Sequence, residues 1–227
     1  MPAFAYCADA GAGVPFCAVK RLHRDDLYGW SRFDEARNID FHSLLWVRDG
    51  GNVVIDPLPL SDHDRAHLDE LGGAAIIVIT NSDHVRDAAT VRAHTGAVVC
   101  GPAGERERFP IECDRWIEDG EQIVPRLVAL ALEGSKTPGE LALVLEDHTL
   151  ITGDLVRASH GGALCLLSDP KLGDRDQALL SLKRLAMLPG VTSVLPGDGW
   201  PIFRHGGEAL STLHTSLAAD KALGLDV

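Results

Sequence analysis

The stretch Ile76-Ile77-Val78-Ile79-Thr80-Asn81-Ser82-Asp83-His84-Val85-Arg86-Asp87 decides how the rest of the chain is read. A β-branched apolar run stops abruptly in a polar turn, and Ala88, Ala89 and Val91 then begin a helical pattern. A strand that ends in polar side chains and turns into a helix is where α/β proteins place their chemistry, because the loops leaving strand C-termini converge outside the sheet. Asn81, Asp83 and His84 are therefore candidate pocket residues.

Working outward, residues 41–48 and 52–55 are short apolar runs joined by the turn Asp49-Gly50-Gly51-Asn52, which predicts a hairpin. Residues 14–20 read as a further strand, and the polar and aromatic segment 24–38, with Tyr28, Trp30 and Phe33, reads as a loop over the surface or over a site. Ser61 or Asp62 caps a helix that Gly72-Gly73 ends. Downstream, strand 74–80, helix 85–95 and strand 96–100 alternate, followed by strand 127–132 and the hairpin 141–145/149–152. An amphipathic helix over 174–188, a strand over 192–195 and a closing helix over 207–223 complete the pattern. This order predicts an α/β (α+β) fold, an αββα sandwich of two mixed β-sheets packed face to face with helices outside. No linker or repeat interrupts it, so residues 1–227 are expected to form one domain.

The composition fits a globular chain, with 45% hydrophobic residues, but its net charge of −12 opposes nucleic-acid binding, which needs clustered Lys and Arg, and disfavours anionic membranes. The five cysteines, Cys7, Cys17, Cys100, Cys113 and Cys165, are odd in number and never spaced Cys-x-x-Cys. That pattern suits free thiols in a reducing compartment. With no apolar run near the ~20 residues of a membrane helix and no signal-peptide pattern, a cytoplasmic location is expected.

Four strand-to-loop junctions carry polar clusters: residues 80–83, 134–139, Gly153-Asp154, and Pro196-Gly197-Asp198-Gly199. In order and spacing they resemble the metallo-β-lactamase fold superfamily, whose pattern is Thr-His-x-His-x-Asp-His, Gly-His-Thr-Pro-Gly-Ser, Gly-Asp and Gly-His. Against it, Thr80 and Asp154 match. Asn81 and Asp83 stand at the first two histidines, Val85 and Arg86 at the Asp-His pair, Lys136 at the next histidine and Asp198 at the last. His84 falls on a variable position. Arg37-Asn38-Ile39-Asp40 and Lys136 to Glu140 are similar to a divergent subgroup of that superfamily. The resemblance implies the sandwich fold and a site with degenerate metal-ligand motifs.

Lysine as an ammonium offers three donors and no acceptor, so Lys136 cannot replace a ligand histidine unless deprotonated. Two readings follow. In the first, Lys136, with Arg86, supplies the charge that metals would have supplied, and no metal cofactor is expected. Asn81, Asp83, His84, Lys136, Asp154 and Asp198 then form a pocket for a small anionic ligand. In the second, one divalent metal (Mn, Fe, Mg or Zn) survives on Asp83, His84, Asp154 and Asp198, an oxygen-rich set suited to hard cations. The protein would then hydrolyse a small ester, thioester or phosphoester, with Asp154 and His84 as candidate catalytic residues. The first reading is preferred because cations at ligand positions oppose a dication directly. Whether the chain is an enzyme stays open between them. His160 and His205 are further candidates for the groove, and Trp30 and Trp200 either wall it or plug the edge of the core, while Asp62-His63-Asp64 reads as a solvated helix start.

Overall fold

A computed structural model describes residues 19–223. The strand expected over 14–20 falls largely outside them, as do Cys7 and Cys17. The first sheet runs in sequence order through β1 (Lys20–Arg21), β2 (Leu27–Asp34), β3 (Ile39–Trp46), β4 (Val53–Ile55), β5 (Ile76–Val78), β6 (Val98–Pro102) and β7 (Arg115–Ile117). Its first four strands are antiparallel and the rest parallel, because α1 (Asp62–Glu70), α2 (Ala88–Thr95) and a 3-10 helix (Ala103–Arg108) lie in the crossovers. The second sheet contains β8 (Gln122–Val124), β9 (Leu127–Ala131), β10 (Leu141–Leu145) and β11 (Thr149–Thr152), with β14 (Ser193–Pro196) parallel to β11 at its edge. A separate ribbon, β12 (Val156–His160) and β13 (Ala163–Leu166), leaves β11, and α3 (Arg175–Ala186) and α4 (Gly206–Leu223) follow.

Three apolar layers produce the four-layer sandwich. Leu44, Trp46, Ile55 and Val78 of the first sheet meet Leu127, Leu143, Leu145 and Ile151 of the second in the central core. Leu45, Val54, Ile77 and Val99 point the other way, toward Leu68 of α1 and Val91 of α2. Ala142, Leu150 and Val194 likewise meet Leu182 and Leu185 of α3 and Leu210 of α4. Strands apolar on both faces are what a sheet covered on both sides requires.

Two expectations need correction. Residues 24–38 are not a loop, since β2 pairs with β3 over its full eight residues, Leu27 opposite Trp46 through Asp34 opposite Ile39. Its outer half is solvent-facing and its inner half buried, so no alternation marks it; the ladder and Trp30, 3% exposed with Nε1 donating to the Leu58 carbonyl, hold it in place. Trp30 is therefore core. Asp64 is also buried, 1% exposed, and not part of a solvated helix start: Ser61 Oγ caps its N–H at 3.1 Å and donates to its carboxylate at 2.7 Å.

Candidate functional site

The site is built on Asp56, the residue that follows β4. Its carboxylate accepts the Thr80 N–H at 2.8 Å, the Thr80 hydroxyl at 2.6 Å and His84 Nδ1 at 2.8 Å. Asn81 is fully buried, and its Oδ1 accepts from the N–H groups of Asp83 and His84 at 3.0 and 3.1 Å. That cap starts a single 3-10 turn over Ser82–His84, which folds the His84 ring inward while Asp83 stays out in solvent. Asn81 thus lies beneath the cavity and shapes the turn.

Close backbone approach brings the other junctions in. A side chain at Gly153 would place its Cβ 2.8 Å from Asn81 Nδ2, and one at Gly197 would place it 2.7 Å from His84 Cε1. His42 N–H donates to the Gly197 carbonyl at 2.8 Å and Gly199 N–H to the Asp40 carbonyl at 2.7 Å, which ties the start of β3 to the loop after β14. His84 Nε2 consequently lies 3.4 Å from Asp154 Oδ1 and 3.7 Å from Asp198 Oδ1.

Two arginines complete the cluster. Arg86 takes a left-handed backbone, φ 45°, uncommon for a side chain of its size. Its guanidinium donates to the carbonyls of His42, Asp56 and Gly197 and lies 3.5 Å from Asp198 Oδ1. Arg157, on β12, donates to Asp198 Oδ2 and lies 3.4 Å from Asp154 Oδ1. Lys136 pairs with Asp83, and both side chains are nearly half exposed. The neutralising role expected of Lys136 therefore falls mainly to Arg86 and Arg157. His84, Arg86 and Arg157 stand against Asp56, Asp154 and Asp198, a balanced set of charges.

Under the cluster lies Glu140, fully buried, accepting from the N–H groups of Asp154 at 2.7 Å and Leu155 at 2.9 Å and from the Ser135 hydroxyl. Burial, reinforced by the Asp154 charge, pushes its carboxyl up to about 7 despite those donors. Burial and the Arg86 guanidinium pull His84 down, but Asp56 and Asp154 outweigh them and push it up to about 10. Burial also lifts Asp198 above its ordinary range, whereas His84 and Arg157 overcome burial at Asp154 and hold it well below. Glu140 and His84 both bind protons more tightly folded than unfolded. Their stabilisation is complete below 4.5 and 6.5 and lost as pH rises through about 7 and about 10. Melting temperature is expected to fall between pH 6.5 and 10, and His84→Gln to flatten that limb; a flat wild-type profile would contradict the protonated His84.

Above this floor opens a cavity of about 910 Å³. Asp83, His84, Lys136, Asp154 and Asp198 line it, with Arg86, Arg157 and the exposed His160; Asn81, Trp200 and His205 do not. His205 instead pairs with Glu208 on the surface. Asp56, Glu140 and Arg157 escaped attention as site residues. Asp56 follows the same rule as the opening stretch, a polar residue at the end of an apolar strand, and Arg157 lies three residues beyond Asp154.

One donor atom each from His84, Asp154 and Asp198 lies within 4.8 Å of the others, a spacing that could hold a metal ion, and Asp83 is not in that group. The same atoms are engaged, however. A dication there would require both guanidiniums displaced from the carboxylates, and Arg86 Nη2 also displaced from His84 Nε2, which it approaches to 3.3 Å, so the arrangement as it stands does not fit one.

A four-layer αββα sandwich with its cavity at converging strand ends defines a metallo-β-lactamase-type α/β protein. The chain belongs to the metallo-beta-lactamase superfamily, whose family model matches residues 19–217. No curated protein matches it. Among solved structures it is similar to a metallo-beta-lactamase from Pontibacter korlensis, at 18% identity and TM-score 0.70 over 89% of this chain and 98% of that one. The DIM-1 metallo-beta-lactamase aligns at 14% identity and TM-score 0.68, covering 88% and 97%. A metallo-beta-lactamase family protein from Thermus thermophilus aligns at 19% identity and TM-score 0.63, covering 87% and 80%. At these identities the likeness establishes the fold alone.

Proposed function

We propose that this protein binds a small anionic metabolite in a metal-free pocket, with fixed side-chain cations in the place that metal ions hold elsewhere in the superfamily. One observation carries the reading. In a chain of net charge −12, the cavity is lined by Arg37, Arg86, Lys136, Arg157 and Lys171 against only Asp83, Asp154 and Asp198. A cleft lined by an excess of one sign of charge with low-dielectric walls concentrates the opposite ion whatever the net charge of the whole. His84 fits this role as a fixed cation: an imidazolium has no lone pair with which to take a proton from water.

A second reading, a single-metal hydrolase of a small ester, thioester or phosphoester, is favoured by the mutual spacing of the His84, Asp154 and Asp198 donors. Thermal melts separate the two. At constant ionic strength, millimolar benzoate or phosphate is expected to raise the melting temperature relative to chloride, since a ligand of the folded state stabilises by RT ln(1 + [L]/Kd). Lys136→Met is expected to reduce that shift. No shift with any anion, together with one from Mn²⁺ that Asp154→Ala abolishes, would favour the hydrolase.

A further inference from the structure

The cations lining the cavity are not equally free to meet a ligand. Arg86 is held by three backbone carbonyls and Asp198, and Arg157 by Asp154 and Asp198. Arg37 faces Asp34 at 3.8 Å and lies over the Phe41 ring, 5.6 Å from its centroid. Two lysines remain. Lys136 pairs with Asp83 among the described residues, and an ion pair so exposed contributes on the order of 0–1 kcal/mol, which a ligand can displace. Lys171 is exposed and forms no ion pair among the described residues.

The fold puts these two lysines on adjoining segments. Gly173 N–H donates to the Ser135 carbonyl at 3.0 Å and Asp174 N–H to the Gly134 carbonyl at 3.3 Å, clamping the loop that carries Lys171 against the turn that carries Lys136. Any side chain at Gly173 would stand 2.8 Å from the Ser135 carbonyl oxygen, so the contact depends on glycine. On another side of the cavity, Ile39 and Phe41 of β3 and Leu58 of the loop after β4 are apolar, with Arg37 and Arg86 each 5.6 Å from the Phe41 ring centroid.

Resting on the anion-pocket reading above, we propose that the ligand joins a dianionic phosphate monoester headgroup, read by Lys136 and Lys171, to an apolar body that packs on Ile39, Phe41 and Leu58. Two ammonium groups are point charges without the planar fork that selects carboxylates, and Arg86 and Arg157, which have that fork, already hold aspartates. A phosphate monoester carries about −1.5 to −2 charges at neutral pH, matching two lysines. The cavity, about 910 Å³, is also within the range of pockets that bury a whole small molecule rather than an ion alone.

Calorimetry with three probes tests the proposal: phenyl phosphate, which has both parts, inorganic phosphate, which lacks the body, and benzoate, which lacks the second charge. Phenyl phosphate is expected to bind at least tenfold more tightly than either. Lys136→Met and Lys171→Met are each expected to weaken it about fivefold or more and to weaken benzoate less. Lys171→Met should leave the ligand-free melting temperature unchanged, because the residue is exposed and forms no ion pair among the described residues. Benzoate binding as tightly as phenyl phosphate would overturn the dianionic headgroup while leaving the anion pocket standing. Inorganic phosphate equalling phenyl phosphate would overturn the apolar body, and undiminished phenyl phosphate binding in both lysine variants would overturn their assignment. Binding of none of the three would overturn this inference, and the absence of any anion-induced melt shift would remove the reading beneath it.

Discussion

Arg157→Met is expected to destabilise the protein by about 3–5 kcal/mol, the cost of stripping one partner from a buried ion pair. Methionine keeps much of the apolar stem, so what is lost is chiefly charge and hydrogen bonding. Asp198 and Asp154, whose side chains are 5% and 7% exposed, would keep His84 and Arg86 but lose the one guanidinium that touches both. For a chain of this length each kcal/mol moves the melting temperature by roughly 2–4 °C, so a fall of about 6–20 °C should appear in a simple melt. The informative arm is the double variant. Asp198→Asn removes a charge that Arg157 neutralises, and in the Arg157→Met background it should recover a good part of the loss. If Asp198→Asn costs as much in that background as in the wild type, the two residues are uncoupled and the counter-charge role of Arg157 is wrong.

The second large effect is expected at Glu140. Its carboxylate is the acceptor for the Asp154 and Leu155 N–H groups, which sit in the turn that aims Asp154 into the cavity. Glu140→Ala leaves two buried donors without partners, at about 1–3 kcal/mol each, in addition to the cavity left by the missing side chain. Glu140→Gln should be far milder, within about 1 kcal/mol, because one amide oxygen can still take both N–H groups and the Ser135 hydroxyl can rotate to accept. A comparison of the two by denaturant melts checks this. Equal losses would show that negative charge, rather than the acceptor, is what the turn needs.

The parts legible beforehand were those with a local cause. The β3–β4 hairpin follows from its Gly-Gly turn, α1 from the Ser61 cap, and α3 from its apolar spacing with Asp174 capping Gln177. The placement of His84, Asp154 and Asp198 around one point follows from strand ends, each marked by an apolar run that stops at a polar residue. What stayed hidden was long-range. β2 is held by register with β3, not by a pattern of its own, and Asp56 and Glu140 act through partners 24–28 and 14–15 residues away. Lys136 drew the neutralising role because it occupies a ligand position in the family pattern, yet its chain segment delivers it to Asp83 at the rim. Arg157 reaches the aspartates because β12 follows directly on Asp154, a placement that only the path of the ribbon determines.

The central claim, that arginines and a protonated histidine stand where a metal would bind, meets its most direct test in metal analysis of protein purified without chelator. Elemental analysis followed by calorimetric titration with Mn²⁺ and Zn²⁺ should find well under one equivalent retained and no saturable binding that depends on Asp154. One equivalent of metal, lost in Asp154→Ala or Asp198→Ala while the fold survives, would contradict it.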